Sequence, residues 1–259
     1  RGESRWKLPG HPEAVTLFFA TFVAGTACYA MKQLTRFFWK LICWFVILSV
    51  TVVLLFRFLP VIGTPLMLIR SVEALSKGER PLINYHWVSY EQISDHLKRA
   101  VIASEDQRFY THHGFDRVEI EKAIRENKTR KKARGASTIS QQAAKNLFLW
   151  PRSSWVRKGL EAWFTLLIEL IWSKERILEV YLNVMETGKD LYGAEAVARS
   201  HFNTSAGELT PQQAARIAAT LPNPLQYSSL HPGPYVRKRE LHILRQMQTI
   251  RLGKETTEK

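Results

Sequence analysis

The sequence predicts a mainly α-helical protein: a globular domain at residues 89–250 carried by one membrane-spanning helix. Three observations predict it. Leu41–Phe56 is a run of sixteen residues without a charge. Two Ser/Thr-x-x-Gln capping boxes, Ser89–Gln92 and Thr210–Gln213, stand in front of runs with apolar residues three or four apart. Alternating apolar–polar stretches are scarce, and Asn-Gly hairpin signals are absent.

Composition narrows the classes. At 259 residues the chain has room for one large domain or two small ones, and for a full core without disulfides. Cys28 and Cys43 both sit in apolar runs, where they read as small hydrophobes, and no Cys/His cluster supports a structural zinc. A hydrophobic fraction of 46% excludes disorder, and 13 glycines exclude a collagen-like chain. Lys+Arg of 37 against Asp+Glu of 23 gives +14. Such a charge asks for a polyanion: nucleic acid, an anionic membrane surface or a phosphorylated substrate.

In chain order, residues 1–40 read as an N-terminal extension and cytoplasmic flank. Ala14–Met31 is a second, weaker apolar run and a second candidate span. The preferred span is 41–62. Its 22 residues would make a helix of about 33 Å, enough for a bilayer core. Trp39 and Trp44 mark an interface, and Lys32, Arg36 and Lys40 place that flank inside and everything after Pro60 outside. A buried core helix is the competing reading. Met31-Lys32 resembles a natural start, so residues 1–30 are expected to be absent or dispensable in the cell. An upstream start would instead fold 14–31 back as a hairpin with the next span. Residues 63–88 read as an irregular linker broken by Pro65, Gly78 and Pro81.

The domain's first helix is expected to open at Ser89. Its row Ile93, Leu97, Val101 continues to Glu105, so an apolar face ends in a carboxylate. Further helices are expected over 119–126, 138–148, 157–172 and 174–183, and from Thr210 to just before Pro222. Seven basic residues crowd 122–134. Residues 251–259 read as a frayed tail.

The residues that could carry chemistry follow from this layout. Glu105-Asp106 is an acidic pair at the end of an apolar face, where partial desolvation suits a carboxylate for acid–base work; a cap or a surface ion pair is the plainer alternative. His112 and His113 follow, and suit hydrogen bonding or loop packing better than metal binding. Thr138, Gln142 and Lys145 fall on one helical stripe, a hydroxyl, an amide and an ammonium able to grip a sugar and a phosphate, or simply a solvated face. Arg157, Lys158 and Glu161 sit in a helix rich in Trp163, Phe164, Leu167 and Ile168, where charges are costly unless paired or used.

Together these stretches resemble the monofunctional, membrane-anchored peptidoglycan glycosyltransferases of glycosyltransferase family 51, the lysozyme-like enzymes that polymerise lipid II. The resemblance spans about 88–247. It rests on Glu105-Asp106, Phe109, His112 and Gly114; on Gly135, Ser137-Thr138-Ile139, Gln141-Gln142 and Lys145-Asn146; on Arg157-Lys158 and Glu161; on Lys174, Ile177-Leu178-Glu179, Tyr181-Leu182-Asn183, Gly188 and Gly193; and on the alanine-rich helix leading to Pro222-Asn223-Pro224. Departures are Val197, His201 and Gln213 in place of residues the family often has, outside the first three signatures.

The resemblance implies a lysozyme-like helical fold and attack of a GlcNAc 4-hydroxyl of lipid II on C1 of the growing chain, with inversion and loss of undecaprenyl pyrophosphate. It implies Glu105 as general base, Asp106 as its orienting neighbour, and Lys145, Arg157 and Lys158 on the pyrophosphate. Glu161 would organise those cations or a divalent ion, Mg2+ or Mn2+, with no tightly bound cofactor. Phe109, His112, Ser137, Thr138, Gln141, Gln142 and Asn146 would line the substrate. Implied partners are lipid II, nascent peptidoglycan, membrane lipid and other cell-wall synthesis proteins. Export past Lys40 to the outer face of the inner membrane leaves no nucleic acid to meet. A glycan hydrolase and a catalytically idle scaffold are the rival readings.

Overall fold

The computed structural model of the chain describes residues 12–130 and 134–253. Lys131 and Lys132 of the basic segment, residues 1–11 and residues 254–259 of the tail lie outside them. The chain divides into two compact units, Arg1–Thr51 and Val52–Lys259.

Helix α1 runs over Pro12–Phe58. Met31–Phe58 is the one stretch among the described residues long and apolar enough to cross a membrane. In the first unit Trp39, Trp44 and Leu48 turn large apolar surfaces outward, as a helix meant for lipid does. No turn interrupts α1 between the two apolar runs, so the hairpin expected for an upstream start does not form. The helix also stops earlier than the predicted span, which counted 59–62 as helical. Pro60 disfavours an α conformation for Leu59 and cannot donate to the ladder.

In the second unit, the end of α1 is fastened to the domain. Trp172 Nε1 donates to the Val53 carbonyl at 2.8 Å. The Arg176 guanidinium donates to the Phe56 carbonyl at 2.7 and 3.1 Å and also to Leu59.

The expected irregular linker holds a helix instead: α2, Pro65–Ser76. Pro65 is its first residue rather than a breaker, because a proline's missing N–H is no loss in the first turn, and the Thr64 hydroxyl caps Met67 N at 3.3 Å. Leu66 and Met67 bury against Tyr192 and Tyr85. Strand β1 (Asn84–Tyr85) pairs parallel with β3 (Leu191–Tyr192), which pairs antiparallel with β2 (Glu186–Gly188), in the order β1-β3-β2. Strands of two or three residues are too short to show alternation, which is why the sequence hid them. Gly193 follows at φ +84°, where a Cβ would lie 2.3 Å from the Asn183 carbonyl oxygen.

The Ser89 capping box is present but opens only a 3-10 turn, Tyr90–Gln92. Helix α3, Asp95–Glu105, starts afresh from Ser94 and still carries Leu97, Val101 and Glu105 on one row. Then come α4 (Arg117–Asn127), α5 (Ile139–Phe148), α6 (Trp155–Ile171), α7 (Lys174–Val184), α8 (Gly193–Phe202), α9 (Pro211–Thr220) and α10 (Pro234–Gln246). The sequence reading did not single out α8 or α10. Ala214, Ala215, Ala218 and Ala219 of α9 are fully buried; side chains this small let α3 and α10 approach α9 closely. Helix α5 packs on α6 and α7. These two packings place the C-terminus of α3 beside α5. The mainly helical lysozyme-like class holds.

Candidate active site

Asp106 joins α3 to α5. It is buried, its carboxylate meets His112 Nε2 at 2.9 and 3.0 Å, and it accepts from the Ile139 backbone N–H at 3.0 Å. A carboxylate on the first N–H of α5 also complements that helix's dipole. The Thr138 hydroxyl accepts from Gln141 N at 3.2 Å and donates to the Gly114 carbonyl at 2.6 Å, while Gln141 Oε1 accepts from Thr138 N at 3.1 Å. Gly114 sits at φ +84°, with Thr165 Cγ2 2.8 Å from where a Cβ would be. These contacts pin the start of α5 next to Glu105.

Four residues read as substrate contacts are buried in this arrangement. Phe109 is fully buried beneath the Lys174 ammonium, and His112 and Gln141 are buried in the capping network; Thr138 is in that network too but borders the cleft beside Glu105. Family spacing alone cannot separate a residue that touches substrate from one that holds the residue that does.

Glu105, the last residue of α3, faces open space. Its Oε2 accepts from Gln142 Nε2 at 2.9 Å, and Gln142 Oε1 accepts from the Tyr181 hydroxyl at 3.1 Å. Burial, followed by the charges of Glu105 and Asp106, raises the Tyr181 pKa well above the usual phenol value. Tyr181 thus stays a neutral donor, which fixes the Gln142 amide with its N–H toward Glu105. Glu105 Oε1 accepts from Ser104 Oγ at 3.0 Å. Arg239, from α10, donates to Ser104 Oγ at 3.0 Å and stands 4.0 Å from Glu105 Oε1. Neither Arg239 nor Tyr181 as a second-layer donor was foreseen; Tyr181 lay inside a recognised signature, Arg239 in none.

Glu105 lines a cleft of 590 Å³ together with Ser137, Arg134 and Arg239. On the other side of Gln142 lies a cavity of 220 Å³ bounded by Lys145, Asn146, Trp150 and Arg70. The Glu105–Gln142 hydrogen bond thus stands where the two spaces meet.

The third cluster is on α6. Arg157 Nη1 donates to Glu161 Oε2 at 3.0 Å, and Lys158 donates to Glu161 Oε1. Arg157 and Glu161 are buried, yet Arg157 Nε has no partner among the described residues, an uncommon state for a buried donor. Lys145 lies between the two carboxylates electrostatically. Burial lowers its pKa, with Arg157 and Lys158 adding to the drop and Glu161 and Glu105 opposing it. A divalent ion finds no free negative charge at Glu161, whose two oxygens already face two cations. Asp106, His112 and Asp116 bring possible ligand atoms within 4.8 Å of one another, but Asp106 is engaged as described and Asp116 caps Val118 N and Glu119 N at 3.0 and 3.1 Å.

At the base of the basic segment, Asn127 and Arg134 clasp each other, amide to carbonyl at 3.0 Å and N–H to amide oxygen at 2.7 Å. Arg130 and Arg134 pair with Glu126 and Glu119, so part of that charge is neutralised locally.

The transglycosylase family model matches residues 74–248. Curated relatives named biosynthetic peptidoglycan transglycosylase are similar along most of the chain. The one from Bacteroides thetaiotaomicron is 56% identical over 220 residues, 85% of this chain and 89% of that protein. The one from Pseudomonas entomophila is 51% identical, covering 85% and 93%. The one from Pseudomonas aeruginosa is 50% identical over 217 residues, covering 84% and 94%.

Proposed function

We propose that this chain, which belongs to the transglycosylase family and is a peptidoglycan glycosyltransferase, builds glycan strands from lipid II by inverting transfer. The GlcNAc 4-hydroxyl of lipid II attacks C1 of the growing chain's last sugar. Glu105 takes the hydroxyl proton, the new β-1,4 bond forms as the C1–O bond breaks, and undecaprenyl pyrophosphate leaves with the bonding pair.

The observation that carries this reading is Glu105 itself: a carboxylate at the mouth of a cleft, held by Gln142 and Ser104 rather than locked against a cation at contact distance. Proton transfer by a positioned group contributes about 10²–10⁴-fold. Lys145, Arg157 and Lys158 stabilise the pyrophosphate as its charge grows, the electrostatic help a departing anion needs. Arg157 Nε, without a partner among the described residues, supports that role. Glu161 is their counter-charge, Asp106 orients the site through α5, and Gln142, Ser137 and Asn146 contact sugar or phosphate. Mg2+ or Mn2+, where it assists, would help neutralise the departing pyrophosphate, and Glu161, already facing Arg157 and Lys158, would organise the cations more than the ion. Met31–Phe58 anchors the enzyme as a single span, with the domain on the outer face of the inner membrane, near membrane lipid and other wall-synthesis proteins.

The test is detergent-solubilised protein with labelled lipid II, with and without a moenomycin-type inhibitor. Inhibitor-sensitive polymer is expected. Release of reducing ends from purified glycan, with no polymer from lipid II, would replace this reading by a hydrolase.

A further inference from the structure

Helix α2 buries one side and leaves another bare. Leu66 and Met67 face the domain. Leu68, Val72 and Leu75, at i, i+4 and i+7, form a stripe with 67%, 57% and 61% of each residue exposed. Leu82 and Ile83, in the segment after α2, are also exposed. The polar side chains of α2 turn elsewhere: Arg70 pairs with Glu73 and Glu186, and Ser71 and Ser76 bond back to their own helix. In water such a stripe is a liability; contiguous exposed apolar surface marks a binding face.

Its position says what covers it. The candidate span ends at Phe58 and α2 begins at Pro65. Those few residues reach no farther than about 25 Å. The exit is fixed to the domain, since Arg176 holds the Phe56 and Leu59 carbonyls, Tyr85 holds the Val61 carbonyl and Thr64 caps α2. Ile62, between them, is 91% exposed. Exposed Lys77 and Arg80 follow α2, and basic residues beside an apolar stripe suit an anionic headgroup layer.

We propose that α2 is an interfacial helix: it lies in the headgroup region of the leaflet on the domain's side, with Leu68, Val72 and Leu75 turned toward the acyl chains. The bilayer then grips the domain twice, by the span and by α2, and sets the height of the cleft above the lipid. This rests on the reading of Met31–Phe58 as a membrane anchor.

The test uses the full chain with Cys28→Ser and Cys43→Ser in nanodiscs of phosphatidylcholine and phosphatidylglycerol carrying brominated acyl chains. An environment-sensitive fluorophore is placed singly at Leu68→Cys, Val72→Cys and Leu75→Cys, with Leu48→Cys in the span as reference and an unchanged melting curve required of each. Immersion of about 5–10 Å predicts bromolipid quenching of the three α2 labels, weaker than at residue 48, and protection from aqueous iodide. Iodide quenching of the α2 labels without bromolipid quenching, while the residue 48 label responds to bromolipid, overturns the proposal and leaves the anchor standing. Protection from both quenchers means that protein covers the stripe, and overturns it too. If the residue 48 label also ignores bromolipid, the anchor reading falls with it.

Discussion

The end of α3 and the first turns of α6 each contribute one carboxylate to the site, and the fold treats them in opposite ways. Glu161 has a side chain only 4% exposed, with a cation on each oxygen. Glu105 is 13% exposed, held by an amide and a hydroxyl, with Arg239 4.0 Å away. Two residues of the same type thus acquire different chemistry. On the proposed reading, the carboxylate held between two cations serves as their counter-charge. The one held mainly by neutral donors at the mouth of a cleft is the proposed base. The difference lies in partners, and the experiments below bear on it in order of expected effect.

Glu105→Gln should lower polymerisation about 10²–10⁴-fold, the contribution of a general base, with an unchanged melting temperature. The amide keeps the shape and removes only the basic oxygen. A purified variant within tenfold of the parent would remove Glu105 from that role.

Glu161→Gln should damage stability as well as turnover. It leaves Arg157 buried without a full counter-charge, and breaking a buried pair costs about 3 kcal/mol. Denaturant unfolding and lipid II turnover, measured together, separate it from Glu105→Gln, which moves only the second. If neither changes, Glu161 is a bystander.

Arg239→Lys should lower turnover about tenfold, a change in keeping with a lost hydrogen bond from a charged donor. KM should stay nearly constant, because Arg239 acts on Ser104 and Glu105. A large rise in KM with unchanged kcat would make it a substrate-binding residue instead.

Lys145 gives the comparison a pH signature. Its pKa is lowered from 10.5, by burial first. It is charged below its folded value and neutral above, so polymerisation should fall on the alkaline side before the ordinary lysine range. Between the folded value and 10.5 the unfolded chain binds more protons, so stability rises with pH across that window. Lys145→Arg stays charged throughout and should push the alkaline limb upward. An unmoved limb would mean that another group titrates there.

The smallest effect is expected from neutralising Lys128, Arg130, Lys131 and Lys132 together. Basic residues near an anionic surface contribute about 1 kcal/mol each, less for Arg130, which is paired with Glu126. Liposome-bound turnover should drop at low salt and recover as screening grows. A salt-independent loss would argue for a structural part in the α4–α5 loop.

Part of this was legible in the residues themselves. The row Leu97, Val101, Glu105 depends only on the helical period, and the Thr210 capping box formed as spaced because its hydrogen bonds are local. The α6 cluster was legible because Arg157, Lys158 and Glu161 are one turn apart. The same local logic failed at Ser89, where the box caps a single 3-10 turn, and at Pro65, where a residue read as a breaker starts α2. In both cases the residues beyond the window decide whether a helix continues.

The sequence by itself determined the helical class, the apolar N-terminal helix, the family and Glu105 as the carboxylate to test, because each rests on periodicity, on uninterrupted apolarity or on motifs read within a few residues. Only the tertiary structure decided which motif residues face the cleft and which face the core. It turned Phe109, His112 and Gln141 inward, aimed Gln142 at Glu105 through Tyr181, and brought Arg239 from α10 to Ser104. Those contacts join residues 37 to 135 positions apart. Packing selects such pairings from the whole chain, because a buried donor or acceptor must find its partner wherever the fold brings one within about 3 Å.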